Sequence, residues 1–152
     1  MKKLGLLGEK LGHSYSKEIH EIFFKLTGKD ASYKLIEKEM EDIPSFMQEL
    51  REGKFDGVNV TIPYKEKIIS FLDEISPEAK NIGAVNVIKI SHKGKKTILK
   101  GYNSDVIGFT KSIEPLLERG HKKALILGTG GASKAIKYGL NSLGVQTLLV
   151  SR

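Results

Sequence analysis

Short apolar runs alternate with amphipathic stretches along the whole of this 152-residue chain, and that alternation limits it to an α/β fold. The runs "KLGLLG", "ASYKLIEK", "FDGVNVTIP", "AVNVIKIS", "KTILKGYN", "KALILG" and "QTLLVSR" are too short for helices and read as strands. Between them, Ile19, Ile22, Phe23 and Leu26 recur at helical spacing, and Gly28 stops that helix. Ile43, Phe46, Met47 and Leu50 share one face of a second helix, which Gly53 ends. "YKEKIISFLDEI" predicts a short helix, and Ser76 and Pro77 open another as N-cap and first helical residue. Lys93–Gly94 marks a hairpin turn. The expected architecture is a three-layer domain on a mostly parallel sheet.

The pattern changes near Gly101–Asn103. From there "SDVIGFTKSIEPLLERG" sets Val106, Phe109, Ile113 and Leu116 on one helix face, with Pro115 expected to kink it. We therefore expect a boundary that divides the chain into residues 1–101 and 102–152. Charge does not divide it so sharply. The net charge of +7 splits as 18 basic against 15 acidic residues up to Gly101, and 7 against 3 beyond it. A diffuse positive field favours small anionic ligands. A nucleic-acid surface would show a basic stripe with interleaved aromatics, so no nucleic-acid partner is expected. The one cluster, "HKGKK", falls at the hairpin turn. No apolar run nears the ~20 residues that span a bilayer, and glycines and charges break the N-terminal apolar stretch, so neither a membrane partner nor a signal peptide is expected. The chain has no cysteine, which excludes thiolate chemistry and cysteine metal sites, and the expected home is cytoplasmic. His13 and His20 have no partner at metal-ligand spacing, so no metal is expected and both histidines read as structural.

"LILGTGGASKAI" is a strand, a glycine turn and a helix. Gly128 permits a tight turn, Gly130 lets the backbone approach a pyrophosphate, and the following helix offers free N–H groups to the anion. Ser133 stands where a Gly or Ala usually packs helix on strand. The run from Gly128 through Thr129, Gly130, Gly131, Ala132 and Ser133 is thus a candidate dinucleotide cradle of Rossmann type. An ordinary strand-to-helix turn is the alternative. The next strand ends in Ser151–Arg152 and lacks the acidic residue that holds a ribose 2′-hydroxyl. A guanidinium pairs with a 2′-phosphate, which favours NADP over NAD.

Other loops carry polar groups in the places where open α/β sheets bind ligands. "GHSYSK" holds Ser14 and Ser16, "NVTIPYKE" holds Asn59, Thr61 and Lys65, "GAVN" holds Asn86, and "GYNSD" holds Asn103 and Asp105. Such a set suits a small polyhydroxylated anion: hydroxyls donate to its carboxylate, and amides with a Lys/Asp pair bridge its hydroxyls. Each also has a plainer reading. Ser16 and Asp105 stand where helix caps belong, Thr61 is a good strand residue, and Lys65 is a typical solvated lysine.

Taken together, "GHSYS", "NVTIPYKE", "GAVN", "GYNSD" and "LGTGGASKA" resemble the shikimate dehydrogenases, in that family's order and spacing. The resemblance implies an amino acid dehydrogenase-like substrate-binding domain followed by part of a Rossmann NADP-binding domain. It implies NADP-linked interconversion of 3-dehydroshikimate and shikimate, in the biosynthesis of chorismate and the aromatic amino acids. Ser14 and Ser16 would then bind the substrate carboxylate. Thr61, Asn86, Lys65 and Asp105 would surround the ring hydroxyls, with Lys65 the catalytic acid/base and Asp105 its partner. Gly128 to Ser133 would take the pyrophosphate, and Ser151 and Arg152 the 2′-phosphate.

The sequence departs from the family at Lys17, where Pro is usual, at Ser104, where Thr is usual, and at Val106, where Gly is usual. These changes leave the polar set intact and keep quinate as a competing substrate. Family members also run well beyond this length. The resulting expectation is a truncated nucleotide-binding unit with bare sheet edges, weak NADP binding and little or no dehydrogenase activity alone. A non-catalytic shikimate-binding module that self-associates through such an edge is the rival expectation.

Overall fold

The computed structural model describes residues 1–94 and 96–151. In chain order the elements are β1 (Lys2–Gly8), α1 (Ser16–Thr27), β2 (Ala31–Glu37), α2 (Ile43–Arg51), β3 (Gly57–Val60), α3 (Tyr64–Lys67), β4 (Glu74–Ile75) and α4 (Pro77–Ile82). They continue with β5 (Val87–Lys93), β6 (Lys96–Tyr102), α5 (Asp105–Ile113), β7 (Lys123–Leu127), α6 (Gly131–Ser142) and β8 (Gln146–Val150). The first six strands form one sheet in the order β2-β1-β3-β5-β6-β4, and β7 and β8 form a second, parallel pair. In the larger sheet β5 runs against β3 and β6, and the other pairings are parallel. The expected mostly parallel α/β architecture is what forms. The edge strand Glu74–Ile75 lies inside a stretch whose sequence reads as helix only.

Period-two alternation makes the layers. In β1, Leu7 enters a core with Phe46, Leu50, Val58, Ile88 and Leu99 on the α2 side. Its neighbour Leu6 points the other way, to Phe24 of α1 and to Leu11 and Tyr33. The predicted face of α2 is fully used: Ile43, Phe46, Met47 and Leu50 are all buried. Ser76 caps α4 as its position implies, its Oγ accepting from the Ala79 N–H at 3.2 Å.

Two helices differ from expectation. Helix α1 forms where predicted and ends on Gly28 in the left-handed region, but Ile19, Ile22, Phe23 and Leu26 stay exposed and Phe24 is the residue buried. No described element covers the predicted stripe, and the helix contacts the sheet through the adjacent face. Nor does Ser16 cap it: Tyr15 holds the cap position, and the Ser14 Oγ accepts from the Ser16 N–H at 3.2 Å. In α5, Pro115 converts the last turn to a 3₁₀ helix, Glu114–Leu116. Leu116 is exposed at the end of that turn, and the next residue, Leu117, is half-buried against Ile126, Leu140 and Val145.

The β7–β8 pair is joined to the rest through helices. Ile82 of α4, Ala84, Val106 of α5 and Ala135 of α6 form one buried cluster. Val106, a departure from the resembled family, is therefore a packing residue between the two sheets. The outer face of the pair carries exposed Leu125, Leu127, Leu148 and Val150.

Candidate active site

The C-terminal ends of β1 and β3, the start of β5 and the start of α5 converge on one cavity of about 600 Å³. All six side chains expected to meet a substrate line it: Ser14, Ser16, Thr61, Lys65, Asn86 and Asp105. Asn59, named with them among the polar groups but not as a ligand, lines it too. So do His13 and His20, which the sequence presents as structural.

Backbone pairing explains why these loops meet. The Thr61 N–H donates to the Leu7 carbonyl at 2.9 Å, tying the exit of β3 to β1. The Tyr64 N–H then donates to the Thr61 carbonyl at 2.9 Å and starts the short helix that carries Lys65. The buried Tyr64 ring anchors that helix, its hydroxyl donating to the Lys38 carbonyl at 2.6 Å. Burial pushes the Tyr64 phenol above its ordinary value, and the neighbouring carboxylates Glu9, Glu39, Glu41 and Asp42 add to this. The Val85 N–H donates to the Lys65 carbonyl at 2.7 Å, so the "GAVN" loop is held directly against Lys65.

The polar core of the site is a network of four side chains. The Lys65 Nζ donates to Asp105 Oδ2 at 2.7 Å, and the Asn86 Nδ2 donates to Asp105 Oδ1 at 2.7 Å. Both oxygens of Asp105 are thus engaged. Asn86 also accepts from the Ser104 N–H at 2.8 Å and donates to the Ser104 Oγ at 3.0 Å. The Lys65 side chain is 16% exposed and that of Asp105 34%, so the pair is half-sheltered at the cavity wall. Asp105 does not act as a cap. Ser104 holds the cap position without a side-chain cap bond, and from the residue before it the Asn103 Oδ1 accepts from the Val106 N–H at 3.2 Å while its Nδ2 donates to the Ala84 carbonyl at 3.0 Å. Of the departures, Ser104 touches Asn86 and Lys17 pairs with Glu21 on the surface.

The glycine turn lies beside this network. Gly128 has φ +118, a backbone that favours glycine. Gly131 begins α6 against the site itself: a Cβ there would sit 3.1 Å from the Lys65 Cβ and 3.3 Å from the Ala84 Cβ. Gly130 faces open space, with nothing within 4 Å of a built Cβ. No side chain caps the N-terminus of α6, and its first turn holds no acidic residue. Those features fit a group with a pyrophosphate, since open backbone and uncapped N–H groups accept an anion. Thr129 is exposed in the turn, Ala132 and Ser133 follow in the first turn of α6, and Ser151 follows β8. Arg152, expected at a 2′-phosphate, lies outside the described residues. No sequence spacing signals the bridge between Lys134 of α6 and Glu66, the residue after Lys65. No helix among the described residues is long and apolar enough to cross a membrane.

The sequence model of the shikimate dehydrogenase substrate binding domain matches residues 6–88, more than half of the chain. The chain belongs to that family. It is 45% identical over 148 residues to the shikimate dehydrogenase (NADP(+)) of Syntrophomonas wolfei, covering 95% of this chain and 49% of that one. It superposes on the shikimate dehydrogenase of Aquifex aeolicus with a TM-score of 0.89 and 37% identity, covering all of this chain and 56% of the other. The enzyme of Thermus thermophilus, solved in complex with NADP(H) and shikimate, gives a TM-score of 0.87 at 32% identity, with 100% and 56% coverage. The chain spans about half the length of the curated relatives it matches.

Proposed function

We propose that this chain carries the substrate site and the first part of the cofactor site of an NADP-linked oxidoreductase that interconverts 3-dehydroshikimate and shikimate. The observation that carries the proposal is the Lys65–Asp105–Asn86 network on the cavity wall, with Gly131 of the nucleotide turn packed on the Lys65 stem. Ser14 and Ser16 at the α1 end of the cavity receive the carboxylate. Thr61, Lys65, Asn86 and Asp105 receive the ring hydroxyls. NADPH, when bound, supplies the hydride. Lys65 holds the proton that the carbonyl oxygen of the substrate takes up in reduction, and takes it back in oxidation. Asp105 fixes the ammonium through one oxygen, and Asn86 fixes Asp105 through the other. Residues 1–101 constitute the substrate domain and residues 102–152 the nucleotide portion, with Gly128, Thr129, Gly130, Gly131, Ala132 and Ser133 at the pyrophosphate and Ser151 and Arg152 at the 2′-phosphate. The setting is cytoplasmic aromatic biosynthesis.

The test is calorimetric titration of shikimate into the purified chain. Saturable binding at one site per chain, weakened by Asp105→Asn and competed by 3-dehydroshikimate, is the expected result. No binding, or binding indifferent to Asp105→Asn, overturns it. Titration with quinate reads the breadth of the site. A second reading, a binding module that self-associates, draws on the exposed Leu125, Leu127, Leu148 and Val150 of the β7–β8 pair, and the mass of the chain in solution tests it.

A further inference from the structure

The amide of Asn59 is held from across the sheet by two stacked rings. Tyr33 in β2 lies level with Leu4 of β1, and Asn59 in β3 lies level with Leu6, so the Tyr33 ring spans β1 to reach it. The phenol donates to Asn59 Oδ1 at 2.7 Å. On its other side the Tyr33 ring stacks on His20 of α1, with centroids 4.0 Å apart and planes 15° apart. The Nδ1–H of His20 in turn donates to the backbone carbonyl of Ser16 at 2.7 Å. One line of contacts thus joins the serine end of the cavity to the end of β3.

Packing alone does not require this arrangement. Tyr33 is 3% exposed in a cluster of Leu6, Leu11 and Phe24, where a phenylalanine would fill the same space without a hydroxyl to satisfy. Burial pushes the phenol up to about 12, so it stays a neutral donor. Because Oδ1 of Asn59 accepts that proton, the Nδ2 group is turned the other way. It has no acceptor among the described residues, and Asn59 lines the cavity. We infer that Tyr33, clamped by His20, is a positioning residue that presents the Asn59 amide as a fixed donor to an oxygen of a small polyhydroxylated acid in the cavity. The inference rests on the reading of the cavity as a shikimate site.

The experiment is a double-mutant cycle on shikimate affinity. Tyr33→Phe keeps the ring and the stack, and should weaken binding about five-fold, the usual worth of one hydrogen bond. In an Asn59→Ala background the same change should have no further effect. An equal loss in both backgrounds marks a merely structural tyrosine and overturns the inference, as does unchanged affinity in Tyr33→Phe. A second measurement needs no ligand. The Asn59 side-chain NH₂ resonances, assigned by Asn59→Ala, should move in Tyr33→Phe, and unmoved resonances also overturn the clamp. If the wild-type chain fails to bind shikimate, the functional reading falls, and the amide spectrum still decides the clamp.

Discussion

The two sheets of this molecule are built from the same strand–helix alternation and end differently. In the larger sheet, side chains from separate loops interlock at the cavity: Lys65, Asn86, Ser104 and Asp105 hold one another within hydrogen-bond distance. In the β7–β8 pair, the candidate ligand groups are backbone N–H groups at the uncapped start of α6, and one face of the pair is exposed leucine and valine. On the proposed reading, placed side chains hold the substrate and backbone geometry holds the pyrophosphate. Substitutions should therefore act differently in the two halves.

The sharpest test of that contrast is Lys65→Ala. In a dehydrogenase that carries this segment, removing the proposed proton donor should lower turnover by roughly 10²–10⁴-fold, while shikimate affinity changes far less. Steady-state kinetics beside calorimetry separates the two, and near-normal turnover would break the assignment. Stability should follow the same division. Phe46→Ala empties the fully used face of α2 and should cost about 3–5 kcal/mol, whereas Leu148→Ala on the open face should stay within about 0.5 kcal/mol. Urea titration of both variants measures this.

A smaller effect distinguishes the glycines. Gly131→Ala places a methyl 3.1 Å from the Lys65 Cβ and 3.3 Å from the Ala84 Cβ, so it should change the stability of the ligand-free chain by about 1 kcal/mol, its sign set by whether α6 can give a few tenths of an ångström. Gly130→Ala meets open space, so it should leave stability alone and weaken only NADP binding. The last test uses alkali. The Tyr33 phenol is raised from 10.0 to about 12, so the folded state holds this proton more tightly than the unfolded chain. The resulting stabilisation is complete below pH 10 and fades as pH approaches 12. Tyr33→Phe should flatten that decline in urea titrations run across the alkaline range, and Tyr64, raised in the same direction, should account for part of what remains.

Strands, helices and the polar set are readable in the sequence because each rests on local rules: period-two alternation in β1, the apolar face of α2, the Ser76 cap. The same rules place Ser14, Ser16, Thr61, Lys65, Asn86 and Asp105 at strand and helix ends, and those ends meet in one cavity. What stays hidden depends on contacts distant in the chain. The Tyr33–Asn59 bond spans 26 residues and the Lys134–Glu66 bridge 68, and no spacing rule signals either. The stripe of Ile19, Ile22, Phe23 and Leu26 shows the opposite failure. Periodicity marks a face as apolar but cannot say which described element, if any, lies on it. His20 reads as structural because no metal partner stands nearby in the sequence, although stacking on a tyrosine needs no such partner.

The seating of Gly131 on the stem of Lys65 also bears on how such proteins can be recombined. A chimera that grafts a foreign glycine-turn unit after Tyr102 inherits a steric match with the recipient lysine and with Ala84. A bulkier donor residue at that position meets the Lys65 and Ala84 side chains, so this is a position to match when parents are chosen.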